Sequence, residues 1–122
     1  RSRGEMEAAE EILARVPTDR RAKALRHQIF LSSFEEKHAG EDLAGEAQAN
    51  PRDPRARYRW GVLLAARGQF IEALDELIES VRLDRNFADG AARKAVLAVF
   101  DIIGLDSPVT REYQRRLSSV LF

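Results

Sequence analysis

Histidines, paired carboxylates and clustered arginines are the side chains in this sequence that could do chemistry. His27 and His38 lie eleven positions apart. A metal site would need closer convergence and further ligands, so both read as ordinary surface histidines. Glu35-Glu36, Glu41-Asp42 and Asp75-Glu76 are carboxylate pairs. Adjacent helical residues point to different sides, which makes these pairs a solvated face and not a general acid and base. No spacing suggests a Ser/His/Asp arrangement, and no glycine-rich phosphate loop follows a strand. The 122 residues include no cysteine, which excludes disulfides, thiol redox chemistry and thiolate metal sites within them. The chain therefore reads as no enzyme, with no catalytic residue, no cofactor and no metal.

Arg52, Arg55, Arg57 and Arg59 form a basic run beside Tyr58 and Trp60. Aromatic and arginine planes can stack on RNA bases. Twenty basic and twenty acidic residues cancel, however, and this removes the electrostatic case for nucleic acid. Trp60 and Leu64 share a helical face, so we read core aromatics with a solvated arginine flank. Seventeen of the basic residues are arginine; such enrichment can mark an interaction surface, but we read it as coding bias. The end of the chain is the better candidate. Arg111, Arg115 and Arg116 give it a basic side, and Val109, Tyr113, Leu117, Val120 and Leu121 an apolar stripe. Part of that stripe must close the helical array. The expected partner-binding residues are Arg111, Tyr113, Arg115, Arg116, Leu121 and Phe122, with Leu121 and Phe122 anchored in a partner groove.

These residues need helices to position them. The stretch from Pro54 to Arg85 holds two amphipathic segments joined at Gly68. Phe70, Ala73, Leu74, Leu77, Ile78 and Val81 recur at the spacing of one helical face. Gly61 lies mid-helix, where glycine costs about 1 kcal/mol relative to alanine, so a neighbouring helix is expected to approach closely there. Other helices are expected at Gly4 to Val16 and from Thr18 or Asp19 to Lys37, the latter facing Ala22, Leu25, Ile29, Phe30, Ser33 and Phe34 inward. A short one from Glu41 to Ala49 is weakened by Gly45. Asp89 is expected to cap a helix that reaches Ile103, and Asp106-Ser107-Pro108 opens the last one, Val109 to Leu121. No segment alternates as a half-buried strand would. The fold class is all-α with about seven helices, and no apolar run is long enough to span a bilayer.

Gly61, Gly68, Phe70, Ala73, Leu77 and Leu83-Asp84 resemble the pattern of a tetratricopeptide repeat, with Trp60, Ser80 and Arg85 as departures. Gly4 to Ala9 resembles Gly68 to Ala73 in turn and spacing, 64 residues earlier, close to two periods of about 34. The resemblance implies a single domain of stacked helical hairpins in a short right-handed superhelical array. It would comprise degenerate repeats over 1–50, the best repeat over 54–85 and a C-terminal helix pair over 89–122. Such arrays present surfaces for protein binding.

The downstream half is similar to one family in particular. Asp89 to Lys94, Phe100 to Gly104 and Tyr113 to Leu117 resemble the C-terminal region of bacterial thioredoxin-like co-chaperones of the chaperedoxin or YbbN type. In that family a thioredoxin-fold domain precedes the repeats. The resemblance implies a cytoplasmic stress-response protein that binds unfolded or oxidatively damaged clients and hands them to chaperones, the chaperonin among them, through the last helix. It also implies an upstream domain missing from this chain. A truncated first repeat would expose apolar surface, so a homodimer of the fragment is expected. The alternative is a generic scaffold or oligomerisation module in another assembly.

Overall fold

A computed structural model describes residues 20–122. The helix expected over Gly4 to Val16 lies outside the described residues. Six α-helices follow one another: α1 (Arg20–Lys37), α2 (Leu43–Ala49), α3 (Pro54–Ala66), α4 (Phe70–Leu83), α5 (Ala91–Ile103) and α6 (Pro108–Leu121). There is no strand among the described residues, and the fold is an all-α array of tetratricopeptide-like hairpins.

Local chemistry sets each boundary. The Asp42 carboxylate caps α2 by accepting from Gly45 N–H at 3.0 Å. A Cβ at Gly45 would sit 2.3 Å from that carboxylate, so the glycine that weakens the helix also makes its cap possible. Asp53 caps α3, accepting from Arg55 N–H at 2.9 Å, with Pro54 in the first turn. Gly68 closes α3 with φ of 79°. Its N–H reaches Ala65 O at 3.0 Å, and Gln69 N–H reaches Leu64 O at 2.9 Å, the paired bonds of a Schellman ending. Ser107 caps α6 through Val109 N–H at 3.2 Å.

The start of α5 differs from expectation. Asp89 has φ of 58° and closes a 3-10 turn, Phe87–Asp89, in which Ala88 is also left-handed at 47°. Asp89 therefore cannot take the extended backbone of a capping residue. Gly90 is the boundary residue instead, at φ of 80° and with no side-chain cap.

The α3–α4 hairpin is the centre of the molecule. Ala73, Leu74, Leu77, Ile78 and Val81 of α4 are buried, and Phe70 packs partly against them. At Gly61 an added Cβ would lie 2.8 Å from Leu77 Cγ, so the bare position lets α4 come close, as the sequence implied. Ser80 is fully buried, and its hydroxyl donates to Pro54 O at 2.7 Å. A serine where alanine is usual is thus satisfied by the first turn of the facing helix. α5 packs on α4 through Ala92, Val96, Val99 and Phe100, and α6 packs on α4 through Tyr113 and Leu117.

α1 departs from the expected inward face. Ala22 and Ile29 are buried and Phe34 is partly buried, but Leu25 and Phe30 are exposed, while Leu31 joins the core. α1 packs on α3 and α5, and α2 packs on α3.

Candidate protein-binding surface

The expected partner-binding residues all lie on α6 or directly after it, and two of them are tied to α4. The Tyr113 ring is buried, and its hydroxyl donates to Asp75 Oδ1 at 2.8 Å. Burial, reinforced by the Asp75 carboxylate, raises the Tyr113 phenol above its ordinary range. The Arg116 guanidinium lies 4.5 Å from the Tyr113 ring centroid and reaches Asp75 at 3.5 Å and Glu112 at 3.2 Å. Cation–π contact and ion pair thus hold one arginine over the tyrosine. Arg115 also pairs with Glu112. Hydrogen bonds from Arg115 and Arg116 hold the Glu112 carboxyl below the usual range.

The other three are more open. Arg111 is exposed, Leu121 is partly buried against the core, and Phe122 stands wholly in solvent. Arg85 donates to Leu121 O at 3.0 Å and ties the end of α6 to the loop after α4. The result is a ridge with a locked base, Tyr113–Asp75–Arg116, and an exposed tip, Phe122.

The other candidates are structural. His27 bonds to Asp101 at 3.0 Å, and His38 pairs with Glu41 beside Arg59. The two histidines serve separate contacts, and no cluster of three or more metal-binding side chains occurs among the described residues. In the arginine run, Arg57 grips both Glu76 oxygens at 2.9 and 3.0 Å, and Arg59 holds Glu46 at 3.0 Å and pairs with Glu41. Tyr58 packs on Phe87 with ring centroids 5.7 Å apart, and Trp60 packs against the core. Two of the four arginines are thus committed to carboxylates, and the aromatics to packing.

A second surface was not legible in advance. It is the seam between α3 and α5, which α1 covers. His27–Asp101 joins residues 74 positions apart, and Arg67 reaches Glu35 at 3.4 Å. Only the spacing of His27, Leu31 and Phe34 on one side of α1 hinted at it.

The family profile described as tetratricopeptide repeat matches residues 33–122. The chain belongs to the tetratricopeptide-repeat family. Comparison with curated proteins and with solved structures gives no match. As a tetratricopeptide-repeat domain the chain is a scaffold for protein–protein contact, built from hairpins that bury their faces against neighbours. No helix among the described residues is long and apolar enough to cross a membrane.

Proposed function

We propose that this tetratricopeptide-repeat domain is the non-catalytic, protein-binding module of a cytoplasmic thioredoxin-like co-chaperone. Its clients are unfolded or oxidatively damaged proteins, and it passes them to chaperones, with the chaperonin as partner and α6 as the contact. The repeat match over residues 33–122 carries the protein-binding part of this reading. The co-chaperone part is supported by the likeness of Asp89 to Lys94, Phe100 to Gly104 and Tyr113 to Leu117 to that family.

The α6 ridge suits the role. Its base is fixed by Tyr113 and Asp75, so little side-chain entropy is lost there on binding. Its tip offers Phe122, a large apolar group whose burial in a partner groove contributes roughly 1.5–3 kcal/mol. Arg111, exposed in the first turn of α6, adds a positive charge to the same helix, which can guide an acidic partner surface. Binding needs no cofactor.

The test is affinity for purified chaperonin, wild type against Leu121→Ser with Phe122→Ser, with helicity of both followed by circular dichroism. The expected result is binding that disappears in the folded variant. Equal affinity in both would remove the contact from α6. No binding by either would leave a protein scaffold with some other partner.

A further inference from the structure

Two hollows meet at the start of α4, and neither α1 nor α2 lines them. The first holds about 340 Å³ and is walled by Phe70, Ile71, Ile103 and Val109. These walls come from α4, the end of α5 and the first turn of α6. Phe70, Ile103 and Val109 pack partly against the core, but Ile71 is 51% exposed. The hollow thus has an apolar lip that the fold itself leaves in water.

The second hollow holds about 290 Å³, with Trp60 and Leu64 of α3 on one side and Asp75 and Glu76 of α4 on the other. Both carboxylates have partners. Glu76 accepts from Arg57 at 2.9 Å, and Asp75 accepts from the Tyr113 hydroxyl at 2.8 Å and from Arg116 at 3.5 Å.

Glu72 lines both hollows. It is exposed, and it makes no hydrogen bond or ion pair among the described residues. Three carboxylates thus face two arginines, and one negative charge is left uncompensated between an indole and an apolar lip. Such a charge attracts a cation, and an indole adds to that attraction for a guanidinium or ammonium group. The spacing also suits a bound chain. Ile71 and Asp75 are four residues apart on α4, about 6 Å of helical rise. Two residues of an extended segment advance about 6.6 Å and point to the same side.

We propose that these joined hollows are a docking site for an extended segment of a partner protein that carries a large apolar residue and an arginine or lysine two positions apart. The apolar residue enters the hollow at Ile71, and the cation lies beside Trp60 against Glu72. The inference rests on the protein-binding reading of the repeats and not on the co-chaperone role. It also differs in sign from the α6 ridge, which offers arginines where this site offers a carboxylate.

Trp60 is the only tryptophan in the chain, so its fluorescence reports from the second hollow without a label. The probes are acetyl-Leu-Ala-Arg-amide and acetyl-Arg-Ala-Leu-amide, added to the full chain. At least one is expected to give a saturable change that weakens as salt is added. Acetyl-Leu-Ala-Gln-amide and acetyl-Ala-Ala-Arg-amide each lack one half and are expected to bind several-fold more weakly. Glu72→Gln should weaken the better arginine peptide by up to about fivefold and remove most of its salt dependence. Ile71→Ser should weaken the same peptide through loss of apolar contact. Both residues are exposed, and circular dichroism checks that the variants stay folded. Leu121→Ser with Phe122→Ser should leave peptide binding unchanged, so this site and the chaperonin contact fail separately. The proposal is overturned if neither arginine peptide gives a saturable change, if the glutamine peptide binds equally, or if folded Glu72→Gln keeps full affinity and salt dependence. Self-association by light scattering, with the hollows closed to every peptide, would assign the site to a second copy and also overturn it.

Discussion

The α3–α4 hairpin and the α1 crossing are both helix-on-helix contacts, yet they are built differently. In the hairpin, Gly61 gives up its side chain so that Leu77 can sit against the backbone, and Ser80 seals the far end on Pro54 O. Leu74 and Leu77 are fully buried. In the crossing, one leucine enters the core, two large apolar residues stay half exposed, and half-exposed polar pairs mark the ends. Exposed ion pairs contribute at most about 1 kcal/mol each, whereas a sealed leucine contributes several-fold more. One contact is sealed by apolar packing along its length, and the other is bordered by polar pairs.

Four substitutions probe this contrast. Leu77→Ala should have the largest effect, a loss of about 2–5 kcal/mol in urea unfolding, because it opens a cavity in the fully buried contact of α4 with Gly61. Gly61→Val should follow at about 1–3 kcal/mol, since its Cβ alone would meet Leu77 Cγ at 2.8 Å. Combined with Leu77→Ala, its effect should shrink, because the two positions share one space. Additive losses in the double variant would break the account of this hairpin.

Tyr113→Phe should cost about 1 kcal/mol near neutral pH by deleting the hydrogen bond to Asp75. It should also change the alkaline limb. The folded phenol is raised above its ordinary value of 10.0, so its contribution is fully present below about pH 10 and is lost as pH rises through the folded value. Denaturation curves of the phenylalanine variant should fall off less steeply above about pH 10, and an unchanged slope would contradict the assignment. Phe30→Ser should be smallest, within about 0.5 kcal/mol, because the ring is half in solvent. A large loss there would contradict the placing of this ring at the edge of the α1 crossing.

Much of the hairpin was legible in the sequence. The stripe from Phe70 to Val81 has a single period, and Gly61 and Gly68 are glycines that only a close approach or a left-handed turn explains. α1 was less legible because its apolar residues surround the helix: Leu25, Ile29, Phe30, Leu31 and Phe34 leave periodicity no face to choose. The choice of Leu31 was made by α3 and α5, which lie far away in sequence. Asp89 had the composition of a cap, but two left-handed residues, Ala88 and Asp89, moved the boundary to Gly90. At the α6 ridge the residue types were readable, while the Asp75 contact that locks Tyr113 and Arg116 spans about forty residues and left no local mark.

Hydrogen–deuterium exchange of the chain with and without purified chaperonin is the most direct measurement of the central claim. Bound chaperonin should slow exchange in the last turns of α6 and leave the amides of α4 unchanged. Exchange that stays the same throughout the chain, or that slows only away from α6, would contradict it.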